Sequence, residues 1–123
     1  MNPEKERATM VEHQLRRRGI ADTRVLAAMG EVPREAFVPD AQKSNAYMDC
    51  ALPLSHGQTI SQPLMVAMSV EALRLTGTET VLEVGAGSGY QAAVLSRLAK
   101  QVYAIEIIPE LVENAGAVLD SLE

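Results

Sequence analysis

A chain of 123 residues that is 47% hydrophobic and 22% charged fits one soluble globular domain. Its net charge of −5 argues against nucleic acid, whose binding proteins usually carry a basic face. Nothing approaches a membrane span or a signal peptide, because Met1 to Arg18 is charged throughout, so no membrane partner and a cytoplasmic location are expected; the single Cys50 rules out an internal disulfide and, without ligand-spaced Cys or His neighbours, a zinc site.

In chain order, the first helix is predicted from about Glu4 to Arg18. Arg16, Arg17 and Arg18 complement its carbonyl end, and Gly19 stops it. A second helix runs from Thr23 to Gly30 with Asp22 as its cap. Val32 to Asp49 reads as loop, punctuated by Pro33 and Pro39, and Cys50 as a small buried residue beside Asp49. Ser61 reads as the N-cap of a helix to Leu75, ending near Gly77, with Pro63 in its first turn and Leu64, Ala67, Met68, Ala72 and Leu75 at helical spacing. Val81 to Val84 is then a strand, Tyr90 to Leu98 a helix, Val102 to Ile105 a strand, and Pro109 to Leu122 a helix begun by proline. Residues 1–60 thus form a helical and loop segment and residues 61–123 an α/β unit. His13 and His56 lack partners for general-base work and read as structural or solvent-facing.

The most informative run is Thr80-Val81-Leu82-Glu83-Val84-Gly85-Ala86-Gly87-Ser88-Gly89-Tyr90, followed by Val102-Tyr103-Ala104-Ile105-Glu106. An apolar run, a glycine turn, a helix, a second apolar run and an acid make the first half of a nucleoside-binding α/β unit. Dinucleotide binders use G-x-G-x-x-G to bring a helix N-terminus up to a pyrophosphate. Here the pattern is Gly85-x-Gly87-x-Gly89, with Glu83 two residues ahead. A carboxylate there repels a pyrophosphate but can pair with a cationic amino-acid end, which suits S-adenosylmethionine. Glu106, ending the second strand, offers two oxygens to two ribose hydroxyls. Read without that acid pair, the glycines are a tight turn in any α/β protein.

Further motifs precede this loop. They are Val32-Pro33-Arg34-Glu35-Ala36-Phe37-Val38, Ala46-Tyr47-Met48-Asp49, and Ala51-Leu52-Pro53-Leu54 followed by Gly57-Gln58-Thr59-Ile60-Ser61-Gln62-Pro63. With the glycine loop they resemble the protein-L-isoaspartate O-methyltransferase family, which shows V-P-R-x-x-F-V, A-Y-x-D-x-A-L-P-I and G-Q-T-I-S-Q-P in this order. The resemblance implies the N-terminal part of a Rossmann-like, S-adenosylmethionine-dependent methyltransferase fold. It also implies methyl transfer to the side-chain carboxylate of isoaspartyl or D-aspartyl residues, making isoaspartyl-containing proteins the partners and repair the role. Ser61 then matches the serine that orients the substrate carboxylate, and Thr59 and Ile60 lie in the stretch that lines the cofactor pocket.

Family members continue past the point where this chain ends, so the resemblance implies that C-terminal strands are missing. The two apolar strands read as members of a parallel sheet covered on both faces. Alone they leave both outer edges open, from which instability or self-association through those edges is expected. An inactive cofactor-binding remnant is the alternative to an enzyme, and a small-molecule methyltransferase a weaker third reading, against which G-Q-T-I-S-Q-P stands.

Overall fold

The computed structural model describes residues 2–122. Asn2 caps the first helix, α1 (Pro3–Met10), its side chain accepting from the Lys5 N–H at 3.2 Å. The single long helix expected to Arg18 changes pitch twice, into a wide π-turn over Val11–Leu15 and a tight 3-10 turn over Arg16–Arg18. Gly19 ends it in the left-handed region, at φ 104°, a conformation that costs a side-chain-bearing residue more than glycine. α2 (Thr23–Glu31) begins at Asp22, whose carboxylate accepts from the Arg24 and Val25 N–H groups, as expected.

The stretch read as loop contains two 3-10 turns, Arg34–Phe37 and Asp40–Asn45. They are tied to α1 by polar contacts: Arg7 donates to the Tyr47 hydroxyl at 2.8 Å, and that hydroxyl donates to Glu35. Cys50 is free and half-buried, less enclosed than expected. A short antiparallel hairpin not anticipated from the sequence follows, β1 (Leu52–Pro53) with β2 (Thr59–Ile60), in the register Leu52 to Ile60.

α3 spans Pro63–Ala72 and its N-cap is Gln62, so Ser61 is not the cap. The residue before a proline is pushed into an extended conformation, and Gln62, with ψ 140°, occupies that position. The buried stripe of α3 is Val66, Ala67 and Val70, while Met68 and Ala72 face outward. With apolar residues all round the helix, spacing alone did not select the inner face.

β3 (Thr80–Val84) and β4 (Gln101–Ile105) form a parallel pair joined through α4 (Tyr90–Ser96), in the register Val81 to Val102 and Val84 to Ile105. α5 (Pro109–Ser121) follows. Val81, Glu83 and Val102 lie on the covered side of the pair, whereas Leu82, Val84, Tyr103 and Ile105 are exposed. The expected double coverage is therefore realised on one side only. No further strand flanks the pair among the described residues.

The core runs without a break across residue 60, joining Met10, Leu15, Met29 and Phe37 to Val66, Tyr90 and Val94. Phe37 meets Tyr90 edge-on, ring centroids 5.7 Å apart. This contact fixes the start of α4, and so the glycine loop, against the N-terminal segment.

Candidate functional site

The end of β2, the start of α3, the end of β3 and the glycine loop enclose a cleft of about 180 Å³. Thr59, Ile60 and Ser61 line one side of it, Glu83 and Gly85 the other. Five of the eight residues singled out in the sequence thus share one cavity, although two segments more than twenty residues apart supply them. A larger hollow, about 710 Å³ between α4, β4 and α5, holds none of the eight.

Glu83 is 8% exposed. Its Oε1 is buried with no hydrogen-bond partner among the described residues. Burial pushes its carboxyl up to about 7, opposed only by the side chain of Gln91. A buried carboxyl with an unmet oxygen costs free energy unless something pairs with it. A cationic group entering the cleft meets that need, so the residues present fit the amino-acid end of S-adenosylmethionine.

Glu106 stands differently. Its Oε1 accepts from the Gly87 N–H at 2.9 Å, and its Oε2 from the Ile107 and Ile108 N–H groups at 2.9 and 3.2 Å. These main-chain bonds, that from Gly87 foremost, hold its carboxyl below the usual range. The carboxylate is thereby a clamp that ties the glycine loop to the approach of α5. With two lone pairs per oxygen, one on Oε1 remains free, room for a single further donor and not for the two ribose hydroxyls expected from the sequence.

Gly85, Gly87 and Gly89 all have positive φ, so the loop follows a path suited to glycine. At Gly89 space matters as well: a Cβ there would lie 3.0 Å from Cβ of Ala115 in α5. The third glycine lets two helices approach closely, whereas the first forms part of the cleft wall. Gly87 and Gly89 do not line the cleft; they shape the loop that does.

Ser61 is exposed and its hydroxyl makes no hydrogen bond among the described residues, which leaves it available to a ligand. Its main chain is held from beneath. Arg34, fully buried, donates to the Ser61 carbonyl at 2.9 Å and to the Ala46 carbonyl at 2.6 Å, with its guanidinium 4.9 Å from the Tyr90 ring centroid. Burial, above all, lowers its pKa. Sequence reasoning quoted Arg34 within V-P-R but gave it no role. An arginine followed by an acid reads as surface, and only the fold shows it joining the Ser61 segment to the helix behind the glycine loop.

His13 and His56 face solvent, as expected; His56 lies 3.7 Å from Glu110 at the start of α5. Among the described residues no three His, Cys, Asp or Glu side chains cluster as metal ligands, and no helix is long and apolar enough to cross a membrane.

The model of the protein-L-isoaspartate(D-aspartate) O-methyltransferase family matches residues 5–123. A Shewanella sediminis protein named protein-L-isoaspartate O-methyltransferase 2 is 59% identical over 116 residues, which are 94% of this chain and 48% of that protein. One of the same name from Anaeromyxobacter is 62% identical over 109 residues, 89% of this chain and 45% of its own length. The chain therefore spans about half the length of these curated relatives. A solved protein-L-isoaspartate O-methyltransferase superposes with a TM-score of 0.83 at 30% identity, over 94% of this chain and 38% of its own. A Plasmodium falciparum protein of this kind, solved in complex with S-adenosyl-L-homocysteine, gives a TM-score of 0.77 at 28% identity, over 98% of this chain and 56% of its own.

Proposed function

The chain belongs to the protein-L-isoaspartate(D-aspartate) O-methyltransferase family, and from this premise we propose that it carries the cofactor half of an enzyme that methylates the side-chain carboxylate of isoaspartyl or D-aspartyl residues in damaged proteins. The observation that carries the reading is the cleft, where Thr59, Ile60 and Ser61 face Glu83 and Gly85. A pocket built around a bare nucleoside would have no use for a buried, unpaired carboxyl at that depth. One built around a nucleoside with a cationic amino-acid arm would.

When bound, S-adenosylmethionine supplies an electrophilic methyl group on a positively charged sulfur. The chain's own task is then alignment, since a substrate carboxylate is already nucleophilic and needs no general base. Ser61, with its free hydroxyl held at a fixed height by Arg34, donates to one oxygen of that carboxylate and leaves the other to react. Glu83, once ionised, holds the ammonium of the amino-acid arm. Ile60, buried beside Thr59, keeps that wall of the cleft dry. Glu106 fixes the loop and accepts a ribose hydroxyl at its remaining lone pair. A cytoplasmic location belongs to the same reading.

Calorimetric titration of the chain with S-adenosylhomocysteine tests it. Saturable one-site binding that weakens in Glu83→Gln is expected. A chain with a folded far-ultraviolet spectrum that takes up no ligand would overturn the reading.

A further inference from the structure

Two of the motifs quoted ahead of the glycine loop meet at Ser61 and Gln62, and the chemistry proposed above uses only one of them. Arg34 of V-P-R holds the Ser61 carbonyl from beneath. Asp49, which closes Ala46-Tyr47-Met48-Asp49, reaches the next residue from outside: its Oδ1 accepts from the Gln62 side-chain amide at 2.7 Å, and its Oδ2 pairs with Arg18 at 2.5 Å. These bonds, that from Gln62 foremost, hold the Asp49 carboxyl below the usual range, so it stays ionised. Gln62 occupies the N-cap of α3, yet its side chain makes no capping bond. Its amide is turned to Asp49 instead. An ionised carboxylate can only accept, so the amide nitrogen faces Asp49 and the amide oxygen faces away. That oxygen has no partner among the described residues and, unlike Oε1 of Gln14 and of Glu83, is not buried. Beside the free Ser61 hydroxyl, a donor, the chain therefore carries an open acceptor whose orientation Asp49 sets.

We infer that Gln62 is a substrate-binding residue, accepting the isoaspartyl residue's own main-chain N–H while Ser61 donates to its carboxylate, and that Asp49 is the residue that positions it. The inference rests on the methyltransferase reading above and names a second group of the substrate that the same site reads. In an isoaspartyl residue the chain runs through the β-carbon, so the free carboxylate and the residue's N–H are attached to one carbon. In an ordinary aspartyl residue a methylene stands between that carbon and the carboxylate. A donor and an acceptor on consecutive residues suit the closer of the two spacings, provided that both are held. Arg34 holds the first through the Ser61 carbonyl, and Asp49 holds the second through the Gln62 amide nitrogen. Binding a carboxylate and an adjacent N–H at two fixed points also removes the freedom of the carboxylate to turn before it meets the methyl group.

The test is the fluorescence anisotropy of a labelled isoaspartyl peptide titrated with the chain at saturating S-adenosylhomocysteine, alongside the same peptide methylated on the isoaspartyl nitrogen. The parent chain is expected to bind the methylated peptide about tenfold more weakly, as the loss of one hydrogen bond allows. Gln62→Leu, with an unchanged far-ultraviolet spectrum, is expected to bind the plain peptide that weakly and to separate the two peptides by less than about twofold. In Asp49→Asn, whose amide can meet the Gln62 amide either way round, the discrimination is expected to fall to about threefold. The comparison of the two peptides on the parent chain needs no variant to fold. A parent chain that binds both peptides alike, or that takes up S-adenosylhomocysteine but no peptide, overturns the inference and leaves the cofactor reading standing. So does a Gln62→Leu chain that discriminates as the parent does, and the same result in Asp49→Asn removes the positioning role. A folded chain that takes up no S-adenosylhomocysteine defeats the methyltransferase reading itself, and the inference with it.

Discussion

Two glutamates at the strand-to-loop junctions, one a residue inside the end of β3 and the other directly after β4, meet opposite fates. Glu83, on β3, is buried with an unmet oxygen and a carboxyl pushed up to about 7. Glu106, just past β4, receives three main-chain N–H groups and is held below the usual carboxylate range. The first is kept poor in partners, so that an incoming cation improves it. The second has three of its four lone pairs engaged by the backbone, so that the loop has one shape before any ligand arrives. Residue type is the same in both; the supply of N–H groups decides which is left open for a ligand and which is held first of all as scaffold.

Removing the clamp is the largest way to test that contrast. Glu106→Ala leaves the Gly87, Ile107 and Ile108 N–H groups without their acceptor, and is expected to lower the melting temperature and abolish S-adenosylhomocysteine binding in calorimetry. Glu106→Gln keeps one acceptor oxygen and is expected to recover part of both. A variant that loses affinity with unchanged melting would instead make Glu106 a ligand group alone.

Glu83 predicts a pH dependence next in size. The folded chain retains a proton on Glu83 up to about 7, whereas the unfolded chain releases it near the ordinary 4.5. Between those values the folded state binds more protons, so stability falls as pH rises from about 4.5 to 7 and then levels off, by about 3 kcal/mol in all. Glu83→Gln is expected to flatten that slope in urea melts taken across the range. Affinity for S-adenosylhomocysteine should run the other way, rising with pH toward 7 as the carboxylate forms. Parallel trends in stability and affinity would break the contrast with Glu106, whose own contribution to stability is lost only in acid, as pH drops through its lowered value.

Much of this site was legible in the sequence, and what was not has physical causes. The glycine spacing, Glu83 and Glu106 could be read because strand, turn and strand are local and each leaves its own pattern. Their environments could not, because burial of Glu83 depends on β2 and α3 closing over it, and the bonds to Glu106 depend on where Gly87 comes round. Ser61 lines the cleft beside Thr59 and Ile60 but is not the cap that the sequence suggested, since the serine signal is strong and the restraint that Pro63 puts on Gln62 is easily overlooked. The β1–β2 hairpin was missed because each strand is two residues long and one contains Pro53. Nothing between Val11 and Leu15 announces the wide turn that divides the first helix.

The smallest expected effect sharpens the contrast most directly. Gln91 is the one side chain that favours the charged form of Glu83, and it does so against a larger opposing cost of burial. It lies in the same cleft, one residue into α4 from Tyr90. Replacing it by leucine removes that support while keeping a side chain of similar reach, so the carboxyl has still less reason to ionise. Gln91→Leu should therefore move the midpoint of the affinity–pH curve upward by a fraction of a pH unit, roughly what the loss of one modest hydrogen bond allows. The Glu106-dependent melting behaviour should not change, because no bond of the clamp passes through Gln91. A downward midpoint would mean that Gln91 holds Glu83 in its neutral form, accepting its proton through the amide oxygen. Glu83 would then have a partner of its own, and the difference between the two carboxylates would be one of degree.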